Sequence, residues 1–296
     1  MTSSTRPPAG ERTITLRHAA RDRRYLLRAP RADGDAAIPI VLELHGRGID
    51  PVAFDRWTRF GGLADRFGFA LALPYAVGEV WADGRWPEAD RGTPDDVGYL
   101  LAVVEDAATR LPIDRERVYV VGMSNGATMA GRMACEHAEL FAGVAQVAGT
   151  VAVGVAERSR PGVPLPILSI HGTADRFQPY EGGQAQGLLA RLLLRQRAGP
   201  GLGVDAWAEF WTGVNDAAHG PEVESLAPDT TIRRWRGASP ASDVAFVRID
   251  GGGHTWPGNP LWTPRFLGRT SRSFDASWFI WEFFAAHRRS SATADR

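Results

Sequence analysis

Short, mostly apolar runs alternate along the chain with longer segments whose apolar positions recur every three or four residues. Residues 39–44, 69–73, 118–121, 141–148, 166–170 and 244–249 are the short runs, rich in Val, Ile, Leu and Ala. Their length and mostly apolar character predict strands buried on both faces. Between them, residues 51–67, 97–111, 127 to about 137 and 274–287 carry helical spacing. In 97–111, for example, Leu100, Leu101, Val104 and Ala108 fall on one face. Residues 13–16 and 24–28 predict an edge hairpin. Strands alternating with helices give the α/β class: a mostly parallel sheet with helices on both faces. Residues 1–12 and 289–296 are polar and predict flexible tails around one domain spanning 13–288. One segment, 184–211, breaks the rhythm. It carries Leu188, Leu189, Leu192, Leu193 and Leu194, then a Gly-rich stretch. It predicts either an ordinary packed face or a lid-like insertion over a site.

The chemistry starts where the 118–121 run ends. Gly122-Met123-Ser124-Asn125-Gly126 is a Gly-x-Ser-x-Gly turn between a predicted strand and a predicted helix. In that context the turn strains the serine and lifts its hydroxyl above the sheet edge. The flanking glycines let strand and helix approach. The helix N-terminus points unpaired N–H groups at the same place. Ser124 is therefore a candidate nucleophile.

A serine hydroxyl needs a base that titrates near neutrality. Of seven histidines, His254 stands out, in Gly251-Gly252-Gly253-His254-Thr255-Trp256-Pro257 just after the last apolar run. The base needs an acid to fix its tautomer. Asp175 fits, five residues beyond the 166–170 run in His171-Gly172-Thr173-Ala174-Asp175. Asp216 and Asp243 are weaker alternatives, because no strand end presents them. Two N–H donors are needed for an oxyanion. The backbone of Asn125 is one candidate. Arg47 or a neighbour in His45-Gly46-Arg47-Gly48 is the other. Trp81, Trp86, Trp256 and Tyr180 are candidates to line a substrate slot.

Composition narrows the partners. The 34 basic residues match 34 acidic ones, so the chain lacks the basic field that nucleic acid or an anionic membrane requires. All 34 are arginine, which excludes lysine Schiff-base chemistry. No spacing suits a metal, and no cofactor is implied. The single cysteine, Cys135, excludes an internal disulfide and reads as a packed residue. With no apolar stretch near the N-terminus, a cytoplasmic location is expected, secretion with a removed leader being the alternative. The oligomeric state has no signature.

Several motifs recur together in one known family: Gly-Met-Ser-Asn-Gly-Ala (122–127), Leu-His-Gly (44–46), Pro-Asp-Asp-Val-Gly-Tyr-Leu (94–100), His-Gly-Thr-Ala-Asp (171–175), Pro-Tyr-Glu-Gly-Gly (179–183), Gly-Gly-Gly-His-Thr-Trp-Pro-Gly (251–258) and Ile-Trp-Glu-Phe-Phe (280–284). The chain resembles the esterase/polyhydroxybutyrate-depolymerase group, which also holds feruloyl and acetylxylan esterases. The resemblance runs from about residue 24 to residue 287. It implies an α/β-hydrolase fold, Ser124, Asp175 and His254 as a triad, and a small-molecule ester as substrate. Many members are secreted and carry cysteines where this chain has Arg47, Asp216, and Ala238 or Ser239. The expected function is a serine carboxylesterase acting through an acyl-enzyme on feruloyl, aryl or acetyl esters. Depolymerisation of short hydroxyalkanoate oligomers is an alternative, as is a non-catalytic binding module on the same fold.

Overall fold

In the computed structural model, which describes residues 10–30, 36–85, 93–187 and 199–289, the apolar runs become strands of one sheet. Ten strands are formed among the described residues: β1 (Gly10–His18), β2 (Arg21–Ala29), β3 (Ile38–Leu44), β4 (Ala70–Pro74), β5 (Ile113–Met123), β6 (Gly143–Val147), β7 (Ile167–Gly172), β8 (His219–Ala227), β9 (Thr230–Arg236) and β10 (Val244–Ile249). Their spatial order is β1-β2-β4-β3-β5-β6-β7-β10-β9-β8. The central six, from β4 to β10, run parallel, and an antiparallel pair closes each side.

The continuous apolar runs follow from cover on both faces. Along β3, Ile40, Leu42 and Leu44 face one core and Val41 the other. Along β5, Val118 and Val120 face the first core, and Tyr119, Val121 and Met123 the second. The first core is covered by α3 (Asp96–Arg110), α4 (Asn125–Glu136), the short α5 (Val153–Arg158) and α6 (Val204–Val214), through side chains such as Tyr99, Met129, Met133, Val155 and Trp207. The second is covered by α1 (Pro51–Thr58), α2 (Phe60–Phe67) and α7 (Ala276–Ala285), through Phe54, Phe60, Ile280 and Phe284. Cys135 is buried in α4, and burial pushes its thiol up to about 12, which leaves it a packing residue.

One expectation is corrected. Residues 51–67 are two helices, not one. The Thr58 hydroxyl turns inward to donate to buried Glu43 Oε1 at 2.5 Å. Arg59 then takes a left-handed conformation (φ 63°), which ends α1 and redirects the chain so that Phe60 packs against Phe69 and Trp256. The β8–β9 hairpin was not expected, because β8 is exposed over most of its length and has no apolar run to reveal it. Within 184–211, the part from Val204 onward is a helix packed on β7 and β10, with Trp207 and Trp211 fully buried. That helix is a layer of the core. Leu188, Leu189 and Leu192 to Leu194 lie outside the described residues.

Candidate active site

Four loops leave the C-terminal ends of β3, β5, β7 and β10, where a parallel α/β sheet opens its crevice. The loop after β5 is the sharpest. Ser124 stands between β5 and α4 at φ 57° and ψ −118°, a region costly for a residue with a Cβ. Its N–H donates to Val147 O at 3.0 Å, which anchors the turn on β6. A Cβ on Gly122 would lie 2.3 Å from Gly126 O, and one on Gly126 would lie 2.1 Å from Leu44 O. Only glycine permits this crossing of β5, α4 and the end of β3. The N–H of Asn125 opens α4, where no earlier turn supplies an acceptor.

The turn brings Ser124 Oγ within 2.8 Å of His254 Nε2, and His254 Nδ1 lies 2.7 Å from Asp175 Oδ2. A carboxylate only accepts, so Nδ1 carries the proton and Nε2 is left to accept from the serine. Access is graded: Ser124 is partly exposed, while His254 and Asp175 are buried. Asp175 Oδ1 accepts the N–H groups of Phe177 and Gln178 at 2.8 and 2.9 Å. Burial pushes its carboxyl up. The neighbouring His254, the hydrogen bond to it, His171 and the Gln178 N–H outweigh that and hold it below the usual carboxylate range. His171 donates from Nε2 to Gln178 O at 2.7 Å and braces the acid loop from beneath. Burial lowers its pKa, so it stays neutral there.

The loop after β3 lies against the turn. A Cβ on Gly46 would stand 3.7 Å from Ser124 Cβ. His45 accepts the Ala76 N–H at Nε2 (3.2 Å), so its Nδ1 donates to Gly46 O at 2.8 Å. Burial lowers its pKa and keeps this tautomer uncharged. Arg47 follows, half-buried, in the turn after β3.

Three of the four substrate-slot candidates are buried. Trp256 is fully buried behind His254, edge-on to Phe54 and Phe60, with Nε1 donating to Ser277 Oγ at 2.9 Å. Tyr180 is buried edge-on against His171. Trp81 is fully buried under the β3 loop, its Nε1 donating to His45 O at 2.9 Å. Trp86 lies outside the described residues. Large aromatic side chains next to catalytic motifs serve the core here more than the surface.

Sequence reasoning missed a clamp. The Asn125 side chain bonds Trp81 twice and donates to Asp83 Oδ2 at 2.6 Å. Arg85 pairs with the same Asp83 oxygen at 2.6 Å. Asp96 accepts the Ala82 N–H at 2.7 Å while paired with Arg23 at 2.6 Å in the interior. The only sequence signal was the recurrence of Asn125 and the 94–100 segment within the family motifs.

Residues 24–176 match the model of the family described as esterase PHB depolymerase. A relative from Nocardia uniformis subsp. tsuyamanensis, "Putative esterase NocK", is 33% identical over 287 residues, 92% of this chain and 83% of its own. The chain belongs to the esterase PHB depolymerase family. It is a serine hydrolase acting on ester bonds. Feruloyl esterase B of Piromyces equi is similar over 54% of this esterase at 24% identity, a stretch that spans only 29% of the fungal chain. Among solved structures, acetyl xylan esterase from Aspergillus awamori superposes with a TM-score of 0.63 at 16% identity, covering 94% of this chain and 99% of that one. That likeness establishes the α/β-hydrolase fold of this esterase.

Proposed function

We propose that this esterase is a serine carboxylesterase of small esters, with Ser124 as nucleophile, His254 as base and acid, and Asp175 as the group that orients the imidazole. The Ser124–His254–Asp175 chain of contacts, at 2.8 and 2.7 Å, carries the reading. His254 Nε2 takes the Ser124 proton as Oγ attacks the carbonyl carbon. The resulting oxyanion is held by the N–H groups of Asn125 and Arg47. The intermediate then expels the alcohol oxygen, which leaves with the proton from His254. Water, deprotonated by the same imidazole, attacks the acyl-enzyme and releases the carboxylic acid and Ser124.

Feruloyl, aryl and acetyl esters are the proposed substrates, supported by the kinship with proteins named feruloyl esterase. Hydroxybutyrate oligomers are the competing class, since the family and one relative, poly(3-hydroxybutyrate) depolymerase of Ralstonia pickettii, are named for them. A fluorophosphonate followed by peptide mapping tests the nucleophile, with label expected on Ser124 and none in Ser124→Ala. Hydrolysis of methyl ferulate, phenyl acetate and hydroxybutyrate trimers then ranks the classes. Failure of labelling and of all three substrates sinks the assignment.

A further inference from the structure

Among the described residues, six large apolar side chains are exposed: Phe67, Leu140, Val223, Leu261, Trp262 and Phe266. Three of the six fall within residues 261–266, the stretch that follows the His254 loop. One of them is built onto the triad. The short turn Arg265–Leu267 is tied to the histidine loop through His254 N–H, which donates to Leu267 O at 2.6 Å, and Gly253 N–H, which donates to Arg269 O at 2.8 Å. The two loops touch so closely that a Cβ on Gly253 would meet Leu267 O at 2.2 Å. Phe266 therefore has a fixed base, yet it leaves 49% of its surface in solvent.

Phe266 faces Phe177, with ring centroids 6.3 Å apart. Phe177 in turn lies 5.2 Å from the His254 ring at an interplanar angle of 31°, so it covers a face of the imidazole. Its own backbone N–H holds Asp175. A half-buried ring on the imidazole and an exposed ring beyond it form a continuous apolar shelf that starts at His254 and ends in solvent.

We propose that this Phe177–Phe266 shelf is the subsite for the alcohol portion of the ester and selects bulky apolar alcohols. The inference rests on the Ser124–His254 reading above. In that reaction the oxygen that departs must sit against His254 Nε2 to receive its proton. Whatever that oxygen carries then extends past the imidazole, where the two phenylalanines stand. The acyl group projects from the carbonyl carbon on the other side of Ser124 Oγ. Apolar alcohols gain by covering rings that water otherwise contacts, and aromatic ones gain further by edge or offset stacking.

The test uses acetate esters of methanol, n-butanol and 2-phenylethanol, which all pass through one acetyl-enzyme. Their deacylation is common, so alcohol selectivity appears in kcat/KM and not in a deacylation-limited kcat. The full-length enzyme should favour 2-phenylethyl over methyl acetate. Phe266→Ala should cut that ratio about tenfold, chiefly through KM, and Phe266→Trp should restore it. A matched series of methyl esters with acetyl, butyryl and phenylacetyl groups should keep its order in Phe266→Ala. An unchanged alcohol ratio, or a loss that follows acyl size instead, overturns the subsite. Fluorophosphonate labelling of Ser124 separates the two failures. Label with no alcohol discrimination sinks only the shelf, whereas no label and no hydrolysis sinks the triad reading and the shelf with it.

Discussion

Asn125 grips Trp81 by both ends of its amide: Oδ1 accepts the Trp81 N–H at 2.7 Å, and Nδ2 donates to the Trp81 carbonyl at 3.1 Å. Trp81 meanwhile holds the carbonyl of His45 through its indole N–H. One residue thus joins the head of α4 to the loop after β3, the two places from which the oxyanion donors are proposed to come. The side chain aligns what the backbone uses.

Cutting this clamp should lower activity more than stability. Asn125→Ala keeps the backbone N–H but leaves the Trp81 N–H unpaired in the interior, at about 1–3 kcal/mol of stability. A displacement of the oxyanion loop by even a fraction of an ångström should cost on the order of 10²-fold in kcat. Asn125→Asp should be worse than alanine, because it places a carboxylate where Nδ2 now meets Asp83 at 2.6 Å. Steady-state kinetics with thermal melts of both variants check this. Full activity in Asn125→Asp would show that the clamp is not needed.

Trp256 stands two residues from His254, but its indole belongs to the second core. Trp256→Ala should destabilise the fold by about 3–5 kcal/mol, the cost of a large cavity. It also removes the indole N–H that Ser277 Oγ accepts, while the hydroxyl keeps its bond to Thr58 O. The milder Trp256→Phe should leave the preference between aromatic and aliphatic esters within about twofold, since the ring does not face the cleft. A selective loss on aromatic esters would place the indole in the substrate slot after all.

Periodicity revealed the central sheet because parallel strands with cover on both faces must be largely apolar, as 39–44 and 244–249 are apart from Glu43 and Arg248. It could not reveal β8, whose residues face solvent over most of their length. The break at Arg59 was hidden for another reason. It depends on Thr58 reaching Glu43 fifteen residues away, a contact no local pattern encodes. Ser124, Asp175 and His254 were legible because each follows a strand end in a Gly-rich loop. Phe177 and Phe266 were not, since nothing in sequence separates an exposed aromatic beside a candidate histidine from a buried one. Burial and loop-to-loop hydrogen bonds decide it.

Glu43 predicts a pH effect on stability with an unusual sign. It is wholly buried on β3, with Oε1 bonded to Thr58 and Oε2 without a partner among the described residues. Burial first, and the nearby Asp55 carboxylate second, raise its pKa well above the ordinary value. A raised folded-state pKa means that its contribution is fully favourable below the unfolded value and declines as pH rises above it. Glu43→Gln keeps the acceptor for Thr58 and cannot ionise. It should be more stable than the parent by about 1–3 kcal/mol at pH 8, with the gap closing near pH 4.5. Denaturant midpoints at the two pH values test this. A constant gap would mean that ionisation of Glu43 is not involved.

Ser124 stores strain that its neighbours offset. At φ 57° and ψ −118° a Cβ is unfavourable, and the conformation persists because Gly122, Gly126 and the Val147 carbonyl leave the chain no other path. Ser124→Gly removes the Cβ and should raise stability by about 1–2 kcal/mol. The same change should abolish turnover, a loss on the order of 10⁶-fold. Ser124→Ala should lose as much activity without the gain in stability. Equal melting temperatures for the two variants would argue against strain at the turn.

In the proposed triad, Asp175 sets the direction of the proton path. Its pKa lies below the ordinary carboxylate value, so it stays ionised at every pH above that value. A lowered folded-state pKa gives a stability contribution that is present above about pH 4 and is lost as pH falls below it. The acid limb of kcat/KM should therefore fall with a slope of one down to about pH 5, the slope of a single protonation. Asp175→Asn retains the shape but reverses the donor. The N–H groups of Phe177 and Gln178 point at Oδ1, so the amide oxygen takes that place and the amide nitrogen faces His254 Nδ1. That nitrogen donates to Nδ1 and shifts the imidazole proton to Nε2, which can then no longer accept from Ser124. Turnover should drop on the order of 10⁴-fold. Nitrogen-15 spectra of the histidine ring should show the proton on Nδ1 in the parent and on Nε2 in Asp175→Asn. A variant that keeps the proton on Nδ1, or an acid limb with a slope of two, would mean that Asp175 does not hold the imidazole in the way its contacts imply.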